Sequence, residues 1–105
     1  METKEINVAR DFSSTPGGRH DKDGPFSGEA FRERFLEPAL REGKANLIIN
    51  LTGTEGYAHS FLEEAFGGLT REFGLKKVEN SIDFICDDDP TLIDEIKGII
   101  KSAKN

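Results

Sequence analysis

Apolar residues recur along this chain in two rhythms. Phe31, Phe35, Leu36, Ala39 and Leu40 return at helical spacing between charged neighbours. Phe61, Leu62, Ala65, Phe66, Leu69 and Phe73 do the same, and so do Leu92, Ile93, Ile96, Ile99 and Ile100. Each set makes one apolar face, the mark of a helix packed on a core. The other rhythm belongs to strands. Ile6 and Val8 alternate with polar residues over 5–9, "ANLIINL" over 45–51 carries three consecutive apolar residues, and "SIDFIC" over 81–86 is a third candidate. The run Leu47, Ile48, Ile49 suits a parallel strand covered on both faces.

Punctuation between these segments sharpens the boundaries. Ser27 is placed to cap the first helix, with Glu29 near the positive end of its dipole. Pro38 removes a backbone donor inside that helix, so a kink is expected there, or a break and a last turn through Arg41 to Gly43. Ser60 and Glu63 have the spacing of a reciprocal capping box, and Gly74 is placed as a left-handed C-terminal cap. Gly67 and Gly68 weaken the second helix unless another backbone, or a site, needs the space. Asp89 and Pro90 suit the start of the third helix, and the terminal "KSAKN" is expected to fray. Residues 10–26 hold two Pro and three Gly, a long loop with room for a short hairpin.

The order strand–helix–strand–helix–strand–helix predicts an α/β domain: a mixed, mostly parallel sheet of about four strands backed by three helices. The 105 residues allow a single domain over 1–105. The net charge of −6 argues against nucleic-acid binding, which needs clustered cations. Residues 1–45 carry a net −1 and residues 46–105 a net −5, so a partner steered to the second part would be basic. Cys86 is the only cysteine, which leaves no intrachain disulfide and no thiolate zinc site. No apolar run is long enough for a membrane span, and a reducing, cytoplasmic setting fits this composition.

Candidate chemistry concentrates in two loops. Around "TGTEGYAHS", Thr54, Tyr57, His59 and Ser60 gather where a strand hands over to a helix. Ser60 is flanked by His59 and Phe61 rather than by small residues, so it reads as a capping serine and not as a nucleophile elbow. In the long loop, Gly17 and Gly18 could let amides converge and Arg19 could grip an anion, against a plain turn with Arg19 paired to a local carboxylate. Glu63 and Glu64 diverge by about 100° round a helix, which suits a solvated or docking face better than paired acid/base work. His20 with Asp21 and Asp23, and the triplet Asp87 to Asp89, lack the spacing of a defined metal site, so no metal and no cofactor are expected.

"LIINLTGTEGYAHSFLEEAFGGL" resembles the core of the STAS-like domains of unknown function, whose helix signature matches Phe61, Glu63, Glu64 and Phe66. "DFSSTPGGRHDKDGPFSGEAFRERFLEPAL" resembles the N-terminal part of one branch of that family. The likeness spans roughly residues 6 to 73 and implies the small α/β sandwich of sulfate-transporter and anti-sigma-factor-antagonist domains, in a bacterial or phage protein. In the antagonists a kinase-like partner phosphorylates a serine at the start of a helix; Ser60 is the matching position. Here Asn50 stands where those proteins usually carry an aspartate, and one serine stands where they tend to have two.

Two functions follow as expectations. The first is a non-catalytic regulatory domain that docks a protein partner through the start of the second helix, with a phospho-switch there and a homodimer as a further option. The second is a small anionic-ligand or enzymatic site between the 16–25 loop and the 54–60 turn.

Overall fold

The computed structural model describes residues 2–42 and 45–103. Three strands, β1 (Glu2–Asn7), β2 (Ala45–Asn50) and β3 (Ile82–Ile85), pair side by side in chain order, and both pairings are parallel. The sheet is therefore narrower than the four strands expected and, among the described residues, wholly parallel rather than mixed. β1 begins earlier than the pattern suggests and stops at Asn7, whose side chain accepts the Arg10 amide at 3.0 Å. That cap turns Val8 and Ala9 into the short helix α1 (Val8–Asp11) instead of extending the strand.

Residues 12–26 form no hairpin. They fold as a strap with one 3₁₀ turn at Asp21–Asp23, held by backbone bonds from Gly17 to Phe26, from Gly28 to Gly18 and from Glu29 to Arg19. Phe12 anchors the strap inside, with its ring 5.2 Å from Phe31 and 5.7 Å from Phe35.

The crossover helix α2 runs as Gly28–Phe31, a π-helical turn Arg32–Leu36, and Glu37–Glu42. Ser27 caps it as expected, accepting the Ala30 amide at 3.0 Å. Pro38 causes no break. The π turn just before it widens the helix, so that the Glu37 amide bonds the Arg32 carbonyl five residues back and the proline's missing donor is absorbed. The expected stop at Gly43 lies outside the described residues.

The second crossover, α3, is built alike: His59–Leu62, a π turn Glu63–Gly67, and Gly68–Phe73. Gly74 ends it at φ 94°, a conformation that favours glycine, but with an extended ψ of 150° rather than a left-handed turn. The chain thereby passes straight into α4 (Leu75–Ser81), a helix the sequence pattern did not suggest, and then into β3. The last helix, α5 (Thr91–Ser102), starts one residue later than proposed, with Pro90 in the cap position.

Both crossovers join neighbouring parallel strands in the same direction, and right-handed connections then place α2 and α3 on one face of the sheet. Burial follows that face. Ile6, Leu47, Ile49 and Ile82 point into a core shared with Phe31, Phe61, Phe66 and Ile96. On the opposite face Glu5 and Asp83 are exposed and Ile48 is half-buried, so β2 is covered on one side only, not on both as its apolar run suggested. The two helices approach closely at Gly28, where a Cβ would overlap the Phe61 carbonyl oxygen.

Candidate functional site

Parallel strands deliver their carboxyl ends to a common edge, where open α/β sheets build their sites. Here β2 leads into the 51–58 loop and β3 into residues 86–90. The two loops are laced together: the Leu51 amide bonds the Ile85 carbonyl at 2.7 Å, the Asp87 amide bonds Thr52 Oγ1 at 2.9 Å, and the Gly53 amide bonds Asp88 Oδ2 at 3.1 Å. Asn50, at the end of β2, accepts the Thr52 amide at 3.1 Å and so stiffens the exit from the strand.

Tyr57 anchors the first loop. Its ring lies 5.9 Å from Phe61 and its hydroxyl donates to the Leu51 carbonyl at 3.1 Å. Burial pushes its pKa up to about 12, against a smaller opposing effect of a hydrogen bond with Thr54. Burial also raises the Cys86 thiol, with the adjacent Asp88 adding to the shift. Near neutral pH both groups keep their protons, and neither is an activated base or nucleophile.

Between these loops and α5 opens a crevice of about 370 Å³, floored by Leu51, Tyr57, Cys86 and Leu92. Its rim is acidic: Glu55, Asp88, Asp89 and Glu95 line it, with the exposed Asp87 alongside. His59 reaches the outer rim, Nδ1 lying 3.4 Å from Glu95. The 54–60 group is thus divided. Thr54 and Tyr57 line the crevice and His59 pairs at its edge, whereas Ser60, half-buried in the first turn of α3, is not among the residues that line it.

The reciprocal cap between Ser60 and Glu63 does not form. Ala58, extended at φ −70° and ψ 146°, holds the cap position and places Ser60 inside the helix. Glu63 is drawn elsewhere, to Arg71 at 2.7 Å and to Arg19. These contacts, Arg71 foremost, hold the Glu63 carboxyl at about 2 against an ordinary 4.5. A folded-state pKa below the unfolded value adds stability that is complete above about 4.5 and lost as pH falls towards about 2. Urea titrations across that window should show wild type losing stability while Glu63→Gln, weaker at neutral pH, changes less and converges with it in acid.

Arg19 therefore presents no open anion cradle. Gly18 turns at φ 87°, but the guanidinium it delivers lies on Glu63 and 3.6 Å from Glu64. The carboxylate partner is 44 residues away rather than local.

Glu64 is not on a solvated face either. Arg32 Nη1 bonds its Oε2 at 2.6 Å while Arg32 Nε bonds Glu37 Oε2 at 2.9 Å, with all three side chains 13 % exposed or less. Burial opposes the Arg32 charge, and the hydrogen bonds to Glu64 and Glu37 outweigh it, raising its pKa. Gly68 makes this possible, since a Cβ there would overlap Arg32 Nη1. The glycine clears space for a side chain of the facing helix, not for a backbone or a ligand. The ladder joins the two π turns: Arg32 opens one, and Glu63 and Glu64 lie in the other.

The grouping with metal-ligating reach among the described residues is Asp21, Glu29 and Glu33 on the strap side. Asp21 and Glu29 already have hydrogen bonds, from Ser27 Oγ and from the Asp21 amide.

A one-sided parallel sheet of three strands with paired crossover helices defines a small α/β domain. The family profile described as STAS-like domain of unknown function (DUF4325) matches residues 27–92, and the chain belongs to that family. No curated protein and no solved structure matches it. Within the described residues no helix is long and apolar enough to cross a membrane.

Proposed function

We propose that this chain is a non-catalytic regulatory domain that docks a basic surface of a partner protein on the rim formed by the 51–58 and 86–90 loops and the first turn of α5. The observation that carries the reading is the ring of carboxylates at 55, 88, 89 and 95 around one crevice, with Asp87 at its side. Such a ring focuses negative potential and steers cationic groups towards it. Laced loops present the rim without large rearrangement, which lowers the ordering cost of binding. An anionic ligand is disfavoured here by like charge, and Arg19, the cation proposed for it, is engaged by Glu63 and Glu64.

Ser60 is the candidate switch. Phosphate on this first-turn residue would sit at the positive end of α3 and add about two negative charges to the same edge. Capture from host lysate on immobilised protein should retain a partner on wild type. Reversing Glu55, Asp87 and Glu95 to Lys should weaken that capture by about tenfold or more, and added salt should act in the same direction. Unchanged capture by the triple variant would refute the docking rim. Ser60→Asp should tighten it by a few fold; equal binding by Ser60→Asp and wild type would remove the switch and leave the rim standing.

A further inference from the structure

Resting on the docking rim proposed above, we infer that the crevice is the socket for one arginine side chain of the partner. The four carboxylates around it are not equivalent. Asp88 is spent within the protein: Oδ2 accepts the Gly53 amide at 3.1 Å and Oδ1 accepts the Cys86 thiol at 3.3 Å. Asp89 accepts the Thr91 hydroxyl at 2.5 Å, in the turn that opens α5. Glu55 has no side-chain hydrogen bond or ion pair among the described residues, and Glu95 has only the exposed His59 at 3.4 Å. Glu55 comes from the 51–58 loop and Glu95 from α5, so an uncommitted carboxylate stands on each wall. Neither caps a helix or laces the loops.

The chemistry of the space selects the cation. A metal ion needs its ligand atoms gathered, and among the described residues no three Cys, Asp or Glu ligand atoms of the crevice lie within 4.8 Å of one another. Between the walls the floor is apolar, with Leu51, Leu92 and the Tyr57 ring. Such a floor takes an aliphatic stem, and the carboxylates take the charge at its end. Tyr57 is pinned by its hydroxyl on the Leu51 carbonyl and its ring against Phe61, so the floor is already formed. At about 370 Å³ the crevice is at the small end of ligand pockets, the scale of one long side chain. A planar guanidinium, with five donors in a fixed fork, meets carboxylates on two walls at once. A lysine ammonium is a compact, strongly hydrated point charge and does this less well. The chain itself uses the same bridge, with Arg32 set between Glu37 and Glu64.

The test is a titration of the isotope-labelled full chain with three capped peptides, Gly-Gly-X-Gly-Gly, in which X is arginine, lysine or the neutral isostere citrulline. Amide shifts at residues 54–57, 86 and 92 should saturate with the arginine peptide. The lysine peptide should bind about threefold more weakly or worse, and the citrulline peptide should not saturate. Glu55→Gln and Glu95→Gln should each weaken arginine binding by about threefold, with circular dichroism showing both folded. Asp87→Asn is the control. Asp87 stands beside the crevice without lining it, so affinity should stay within about twofold. No saturable shifts, shifts centred elsewhere, equal binding of the arginine and lysine peptides, or an Asp87→Asn effect equal to that of Glu55→Gln would overturn the arginine socket. Each of these results leaves the rim standing if the Lys reversals still weaken capture. Capture that survives those reversals would refute the rim itself, and with it the partner's use of the socket.

Discussion

Phe31→Ala is expected to cost about 3–5 kcal/mol of folding stability, the usual range for emptying a phenylalanine site in a packed core. Phe31 is fully buried at the centre of an aromatic cluster. Its ring centroid lies within 6.3 Å of those of Phe12, Phe35, Phe61 and Phe66. One side chain thus joins the strap, α2 and α3. A domain of this size has roughly 5–15 kcal/mol in all, so the variant should melt about 15 °C or more below wild type. Phe31→Leu keeps much of the volume and should lose markedly less. The check is a pair of urea unfolding curves. A loss below about 1 kcal/mol for the alanine variant would mean the cluster is not the hub of this core.

Arg32→Met should cost a similar amount for a different reason. The guanidinium stands between Glu64 and Glu37, both largely buried. Removing it leaves two carboxylates without their shared cation, and breaking a buried pair on one side typically costs about 3–5 kcal/mol. Arg32→Lys should recover only part, since a point charge cannot bridge both carboxylates as the planar fork does. The triple change Arg32→Met, Glu37→Gln, Glu64→Gln should restore most of the stability, because no uncompensated charge remains. Thermal unfolding of the single and triple variants separates the two effects. If the triple variant is as unstable as the single one, the loss came from packing rather than from stranded charge.

These two residues show where the sequence was informative. Phe31, Phe61 and Phe66 announced themselves by spacing, and all three are buried. Ser27 was legible as a cap because its chemistry is local: a hydroxyl three residues before the amide it accepts. Arg32 was not legible. Its partner Glu64 is 32 residues away, and only packing of α2 on α3 brings them together. Gly68 was the one hint, a glycine whose missing Cβ makes room for that guanidinium.

The same limit explains the other departures. Pro38 was read against an ideal α-helix, whereas the π turn Arg32–Leu36 just before it accommodates it without a break. Ser60 and Glu63 have the right spacing for a cap, but Arg71 and Arg19 compete for the carboxylate and Ala58 takes the cap position. Leu75 and Val78 are too few to announce α4, so Gly74 looked like an end rather than a joint. Ile48 belonged to an apolar run, yet the second face of the sheet has no helix among the described residues to cover it. At the candidate site, Thr54 and Tyr57 line the crevice and His59 stands at its edge, a grouping that follows from their nearness in sequence. The acidic rim was visible only as net charge and as the triplet Asp87 to Asp89, because Asp88 and Glu95 reach Glu55 through the return of β3 and the start of α5.

The claim on which the functional reading turns is that the partner meets the carboxyl-end rim. Hydrogen exchange of the chain with and without its captured partner tests it most directly. Slowed exchange concentrated in residues 51–58 and 86–95 is the predicted footprint. Slowed exchange confined to the strap or to the open face of the sheet, with the rim unchanged, would contradict it.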